Sequence, residues 1–190
     1  MVQTIELQSI DLQTGAVRPQ AIGPVQGRPE IATQVGDKVL IAGSSGFIEP
    51  VAQLQFGFAA FDLDTGEYIP SQQFQLGNDE ILRVREMTLS QDRIYLRGDH
   101  RPEQPHTLLA LNRVTLDIEQ WRPIPGGASA NDRENADNHG VHLIRSGPGG
   151  IYIAGQNDGF WSINGQNRGS LAQLDPVTGA PTDWNPARAH

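Results

Sequence analysis

Apolar residues occur along this chain in short runs that Gly, Pro, Asn and Asp separate. The pattern is clearest near the end of the chain, where apolar runs fall at residues 150–155, 160–165 and 171–174. Short apolar runs bounded by turn residues predict consecutive antiparallel strands joined by tight turns. We therefore expect an all-β protein built from many short strands.

A motif with turn chemistry recurs four times. It consists of an apolar residue, Asp or Asn, two variable residues and Thr. The Asp or Asn side chain accepts hydrogen bonds from backbone N–H groups two or three residues on, and a following Gly supplies the positive φ that closes a hairpin. The four copies place these residues at Asp11 and Thr14, Asp62 and Thr65, Asn112 and Thr115, and Asp175 and Thr178.

Glycine follows the threonine in three of the four copies, as Gly15, Gly66 and Gly179. In the third copy Leu116 takes this place. A leucine is disfavoured at positive φ because its Cβ crowds the backbone. The sequence therefore predicts that the third turn either has another geometry or is strained.

Apolar runs that end in Gly form a second repeated marker, at residues 39–43, 94–98 and 151–155. Each follows a turn and another partly apolar run. The two markers together define a unit of four strands in about fifty residues, the size of a propeller blade. The predicted units are an opening half unit at 3–22, followed by whole units at 28–77, 79–126 and 139–190.

Two tryptophans occupy the same position of their units, in Trp121-Arg-Pro123 and Trp184-Asn-Pro186. Stacking on a sugar ring or an aromatic ligand is one interpretation of such residues. A large apolar side chain at a fixed repeat position more often belongs to the core. We therefore expect each tryptophan to pack between adjacent sheets.

The last unit resembles the delta-60 type repeat of bacterial propeller proteins. The residues that carry the resemblance are Gly155, Phe160, Asn164-Gly165, Arg168, Leu171-Ala172, Leu174-Asp175, Thr178-Gly179 and Trp184-Asn-Pro186. The match weakens toward the opening hairpin. The resemblance implies a partial β-propeller of about three and a half blades, in an exported or cell-surface protein without an agreed catalytic activity.

A more distant likeness is to the quinoprotein (PQQ-type) propellers. The run from Ala60 through Asp62 and Thr65 to Gly66 fits the first half of their repeat, but no Trp follows it. In the last unit Trp184 falls one residue late for that pattern. No cofactor-binding residue is therefore predicted from this likeness.

Net charge and composition limit the classes of partner and of site that the sequence predicts. The chain carries a formal charge of −8 and has one lysine, Lys38, so it lacks the basic stripe that a phosphate backbone requires, and nucleic acid is not an expected partner. The sequence contains no run of eighteen apolar residues, so membrane insertion is not predicted. The first residues also lack the pattern of a signal peptide. The absence of cysteine excludes disulfides, thiolate metal sites and a Cys nucleophile. An extracellular location follows from the resemblance alone.

The most polar segment of the chain lies in the long connection at residues 124–140. This segment and the strand that follows hold the candidate metal ligands Asp132, Glu134, Asp137, His139 and His142. Calcium loops alternate their ligands around a Gly, a spacing that this run lacks. The oxygen ligands are typical of a Ca²⁺ site, and the His139 and His142 pair is typical of a transition-metal site. A solvated loop is favoured over both, so no metal site is predicted.

No residue shows the spacing of a catalytic site. His100 and His106 flank a proline-rich connection without a nucleophile pattern nearby. Ser44-Ser45-Gly46 follows a strand end but lacks the Gly-x-Ser-x-Gly spacing of a nucleophile turn. No catalytic residue is predicted, and we interpret the Asp of each repeated motif as a turn builder.

These observations predict a non-catalytic binding or scaffold module that presents loops to a protein or glycan partner. The alternative is part of a quinoprotein-like or glycan-active propeller enzyme whose catalytic residues lie on other blades. Closed propellers have about four to eight blades, so three and a half leave sheet edges open. The sequence therefore predicts a fragment, whose open edges further blades of the same chain or a second copy would cover.

Overall fold

The structure is a computed structural model that describes residues 4–10, 13–26, 28–44, 58–69, 83–99, 107–126, 140–155, 160 and 162–186. These residues form fifteen β-strands and no α-helix, which confirms the predicted all-β class. Within the same residues, no helix has the length and apolarity needed to cross a membrane. The chain divides into two compact units, residues 1–85 and 86–190.

The first unit holds six strands: β1 (Thr4–Ile10), β2 (Val17–Gln26), β3 (Arg28–Val35), β4 (Lys38–Ser44), β5 (Phe58–Asp62) and β6 (Tyr68–Ile69). Strands β1 and β2 form an antiparallel hairpin in which Ile10 pairs with Val17. Strands β3 to β6 form a four-stranded antiparallel sheet in chain order. This sheet has the four strands that the sequence predicts for the unit at 28–77.

The centre of this four-stranded sheet is apolar on both faces. Successive side chains of a strand point to opposite faces, and Val39, Ile41, Ala59 and Phe61 form a core cluster on one of them. Leu40 on β4 is fully buried as well. The rings of Phe61 and Tyr68 meet edge to face at 5.8 Å, which joins β5 to β6.

The second unit holds nine strands, with β7 crossing the boundary between the two units. They are β7 (Arg83–Leu89), β8 (Arg93–Asp99), β9 (Thr107–Asn112), β10 (Pro125–Gly126), β11 (Val141–Gly147), β12 (Gly150–Gly155), β13 (Ser162–Ile163), β14 (Gln166–Asn167) and β15 (Leu171–Leu174). They form three antiparallel sheets, with the orders β7-β8-β9, β11-β12-β15 and β10-β13-β14.

In the repeat units predicted at 79–126 and 139–190, the fourth strand is reduced to a single bridge. Leu111 pairs with Ile118 beside β9, and Leu174 pairs with Pro181 beside β15. Proline has no N–H to donate to a ladder, which limits the second pairing. The described residues of these two units thus give three strands and a bridge, where the sequence predicts four strands.

A small hairpin interrupts the last unit. The sequence places residues 160–165 as a strand next to 150–155. In the structure β13 instead pairs with β10 on one side and with β14 on the other, and β12 pairs with β15. The turn residues Asn164 and Gly165 have φ of 49° and 76°, which is typical of a two-residue Asn-Gly hairpin. The Asn-Gly signal therefore marks an inserted hairpin.

One apolar cluster joins the two larger sheets of the second unit. Its members come from both sheets and from the segments beside them: Tyr95, Leu108, Ala110, Trp121, Val141, Ile144, Ile151, Ile153, Phe160, Ile163, Ala172 and Leu174. Burial of this apolar surface is the main stabilising contribution that packs one sheet on the next.

Candidate functional site

The repeated Asp or Asn residues build the turns as their spacing predicts. In the three copies whose Asp or Asn the structure describes, the Oδ1 accepts hydrogen bonds from the backbone N–H groups two and three residues on. The distances are 3.0 and 2.7 Å for Asp62, 2.9 and 3.0 Å for Asn112, and 2.9 and 2.7 Å for Asp175. The threonine Oγ1 then accepts from the N–H two residues further, at 3.2 to 3.3 Å in all four copies.

Leu116 has the same turn geometry as the glycines of the other copies. Its φ is 62°, against 69°, 71° and 73° for Gly15, Gly66 and Gly179. Of the two alternatives that the sequence leaves open, the structure therefore selects the strained one. The Leu116 side chain is buried, so the apolar surface it removes from water offsets the backbone strain.

The turn carboxylates are held in the ionised form. The backbone N–H of Thr65 is the largest influence on Asp62 and lowers its pKa below the ordinary value. The backbone N–H of Thr178 does the same for Asp175, whose pKa is also lowered. A carboxylate that accepts several turn hydrogen bonds and has a lowered pKa is poorly suited to exchange protons near neutral pH.

One of these turns forms a junction with the preceding sheet. Trp121 Nε1 donates to the carbonyl of Asp175 at 3.0 Å, and the Tyr95 hydroxyl donates to the carbonyl of Pro176 at 2.9 Å. Arg93 Nη1 donates to the Pro176 carbonyl and, at 3.1 Å, to that of Val177. Three donors from one sheet thus bind three consecutive carbonyls of the next.

Glycine at position 179 lets the Trp121 ring approach the turn. A Cβ placed on Gly179 would lie 3.4 Å from Trp121 Cδ1 and Nε1 and 3.2 Å from Pro123 Cδ. The Trp121 ring also meets Tyr95 edge to face, with centroids 4.9 Å apart. Gly179 therefore serves both the positive φ of the turn and the packing of the junction. Burial raises the pKa of Tyr95, which keeps its hydroxyl a donor.

The two repeated tryptophans differ in burial. Trp121 is fully buried, as the prediction of packing between sheets requires, whereas Trp184 is 40% exposed and departs from it. Trp184 contacts Tyr152 of its own sheet edge to face, with centroids 5.3 Å apart. The Asp175 turn that bonds to the Trp121 indole belongs to the next sheet, and among the described residues Trp184 has no corresponding turn.

A charged cluster at the edge of β11 is absent from the sequence predictions. Glu86 Oε2 accepts the backbone N–H of Ile144 at 2.7 Å, and Glu86 Oε1 pairs with Arg145. Arg97 Nε lies 3.7 Å from Glu86 Oε2. Thr88 Oγ1 accepts from the N–H of Ser146 at 3.0 Å, so side chains of β7 satisfy donors of a strand edge. The sequence signal for it is weak, because Glu86 and Thr88 alternate along β7 but their partners lie 58 residues away.

A polar groove of about 540 Å³ lies beside the inserted hairpin, lined by Gly165, Gln166, Asn167, Arg168, Asp183 and Asn185. Arg168 is largely buried and connects the two sides of the groove through hydrogen bonds. It donates to the carbonyls of Asn167 and Thr182, both at 2.7 Å, and to Gln166 Oε1 at 3.3 Å. The exposed groups of the groove are the amide side chains of Gln166 and Asn167 and the carboxylate of Asp183.

Most of the candidate metal ligands lie outside the described residues. Four of these ligands lie there: Asp132, Glu134, Asp137 and His139. Other residues named from the sequence also lie outside the described residues: Asp11, Ser45, Gly46, His100 and His106. His142 is an exposed residue of β11, and Ser44 is the last residue of β4. Within the described ranges, no three His, Asp or Glu side chains cluster as metal ligands.

No protein-family model, curated protein or solved structure matches the chain.

Proposed function

We propose that this chain is a non-catalytic binding scaffold made of propeller-type repeats, of the delta-60 kind that its last unit resembles, and that it works at a cell surface or outside the cell. The observation that carries the proposal is the junction in which the Asp175 turn of one sheet rests on Tyr95 and Trp121 of the sheet before it. Repeat architectures of this type stack each unit on its neighbour through such contacts.

In the described residues, the polar side chains that resemble catalytic groups form hydrogen bonds that stabilise the fold. This supports a scaffold over an enzyme. Asp175 Oδ1 accepts two backbone N–H groups and the Thr178 hydroxyl. Glu86 accepts a backbone N–H of β11 and pairs with Arg145. Trp121 lies in the core with its indole N–H bonded. Groups held this way stabilise the fold.

The polar groove suits a hydroxyl-rich ligand, and of the two expected partner classes we propose a glycan. Amide side chains both donate and accept hydrogen bonds, and a carboxylate accepts them from hydroxyl groups. Gln166, Asn167 and Asp183 present these groups at the solvent, while Arg168 is engaged with the groove wall. A scaffold of this kind would hold a neutral sugar chain by hydrogen bonds from several side chains.

A titration of the ¹⁵N-labelled chain with a panel of neutral oligosaccharides tests the ligand class. We expect at least one member to shift the amide signals of Gln166, Asn167 and Asp183, with the rest of the spectrum little changed. Asp183→Ala should then weaken binding about 10-fold, the factor that follows from losing one or two hydrogen bonds. Asp117→Ala removes another exposed carboxylate and is the matched control.

Two results would contradict a glycan ligand. One is a panel in which no member moves the groove signals. The other is equal weakening by the Asp183 and Asp117 variants, since Asp117 lies outside the groove. Neither result contradicts the proposed scaffold, because the junction at Trp121 is tested by a separate measurement.

A further inference from the structure

The junction at Trp121 shows what a Tyr–Trp pair of this protein binds. Tyr95 and Trp121 stand edge to face, at 4.9 Å and 71°, and both bond to carbonyls of the Asp175 turn. The last unit repeats this pair. Tyr152 and Trp184 occupy the same sequence positions and stand edge to face at 5.3 Å and 86°. The edge-to-face ring geometry is therefore present twice.

Only the first of the two pairs is covered in the described part of the chain. Tyr95 and Trp121 are completely buried, whereas Trp184 is 40% exposed and Tyr152 is half-buried. The Tyr152 hydroxyl donates instead to the carbonyl of Pro148, at 2.6 Å, within its own hairpin. The place of Arg93 is taken by Gly150, so the second pair lacks the arginine that bonds to the turn carbonyls.

The chain also displays one uncovered turn of the type that binds such a pair. In the turn between β1 and β2, Thr14 Oγ1 accepts the N–H of Ala16 at 3.2 Å and Gly15 has a φ of 69°, as in the Asp175 turn. Gly15 is exposed, and nothing lies within 4 Å of the place its Cβ would take. The equivalent positions Gly66, Leu116 and Gly179 are buried.

We propose that the Gly15 turn of a second copy of this chain docks on the Tyr152–Trp184 pair, so that copies associate head to tail. The contact rests on the repeat architecture proposed above. Glycine at position 15 leaves open space where the indole ring would pack, at the position that Gly179 holds beside Trp121. The surfaces that meet are different patches of the two copies, which makes the contact heterologous.

The residue that follows the threonine of the motif explains why the Gly15 turn fits the pair and the Asn112 turn does not. Leu116 carries a side chain at the position equivalent to Gly179, where an added Cβ would lie 3.4 Å from the Trp121 ring. A leucine there would meet the indole of Trp184 directly. Without an arginine at position 150, the contact between copies has fewer hydrogen bonds than the junction within the chain, so we expect it to be reversible.

Sedimentation velocity of the full chain over a wide concentration range tests the contact. We expect concentration-dependent association that Trp184→Ser and Gly15→Asn each weaken at least about 10-fold, as loss of a central interface residue does. Asparagine tolerates a positive φ, so Gly15→Asn keeps the turn and adds the obstructing side chain. Val114→Ser changes an exposed apolar residue of another turn and should leave association unchanged.

Mixing the two variants separates a head-to-tail contact from a symmetric one. The Trp184→Ser chain keeps an intact Gly15 turn, and the Gly15→Asn chain keeps an intact Trp184 face. Their equimolar mixture should form a one-to-one complex, while each variant alone stays monomeric. A wild-type chain that is monomeric at all concentrations, or a mixture that forms no complex, overturns the inference. A buried Trp121 in that same sample would show that the sheet stacking still holds.

Discussion

The two Tyr–Trp pairs of the second unit have the same local sequence pattern and the same edge-to-face ring geometry, and yet one is buried and the other is open. Trp121 bonds through its indole N–H to Asp175 of the next sheet, whereas Trp184 contacts Tyr152 and stays 40% exposed. A tryptophan can be buried at little cost only where its N–H finds an acceptor. The local sequence therefore sets the ring geometry, and a neighbouring turn decides the burial.

Truncation of the two tryptophans should give the largest difference between the pairs. Trp121→Ala is expected to lower the free energy of unfolding by about 3–5 kcal/mol, the usual cost of removing a buried Trp. Trp184→Ala should cost less than about 1 kcal/mol, since its side chain is partly exposed. Urea unfolding of both variants at a concentration where the chain is monomeric checks this. Equal losses would mean that the two environments do not differ.

Variants of Leu116 test the turn that departs from the glycine pattern. Leu116→Ala should lose about 2–3 kcal/mol, because the buried side chain is truncated while the strain at positive φ stays. Leu116→Gly also loses the Cβ, but it relieves about 1–2 kcal/mol of strain, so it should be the more stable of the two. Thermal unfolding of both against the wild type measures the order. Alanine more stable than glycine at this position would contradict the positive φ.

The smallest expected effect concerns pH and separates the Asp175 turn from the Asn112 turn. The pKa of Asp175 is lowered in the folded chain, so its contribution to stability is complete above the ordinary aspartate pKa of about 3.9 and is lost as pH falls through the lowered value. Asp175→Asn keeps the acceptor oxygen and removes the titration. Between about pH 5 and pH 2, the free energy of unfolding should fall less for this variant than for the wild type. The difference should be at most about 1 kcal/mol, because solvent screens the Asp175 carboxylate.

The reverse exchange is the matched control for this effect. Asn112→Asp, made in a Glu119→Gln background, places a titrating carboxylate on a turn with the same two backbone hydrogen bonds. The background removes the charge of Glu119, whose Oε1 accepts from Asn112 Nδ2 at 3.3 Å. The exchange should make the free energy of unfolding more sensitive to acid. Acid sensitivity that neither exchange changes would show that the turn hydrogen bonds do not stabilise the ionised carboxylate.

Local features of this molecule were predictable from the sequence, because their partners lie within three residues. The turn hydrogen bonds of Asp62 and Asp175 are of this kind, and so is the all-β pattern of apolar runs. The strained φ of Leu116 was one of two alternatives, since the sequence shows the missing glycine but not the burial that offsets it.

Features that depend on distant neighbours were predicted only in part. Repeat position indicated a core role for Trp121, but its acceptor at Asp175 lies 54 residues away. The same position gave the same prediction for Trp184, where no covering turn is present in the described residues. The bond from Ile144 N–H to Glu86 spans 58 residues and had no local signal strong enough to predict it.

Hydrogen exchange of the indole N–H groups tests the central claim, that the turn of one sheet covers the tryptophan of the sheet before it. In ¹H–¹⁵N spectra of the monomeric chain, substitution of Trp121 and Trp184 by Phe assigns their two indole signals. The Trp121 N–H, bonded to the Asp175 carbonyl, should exchange at least about 100-fold more slowly than that of Trp184, since opening a buried group costs part of the global stability. Similar fast exchange at both indoles would contradict the junction and the scaffold built on it.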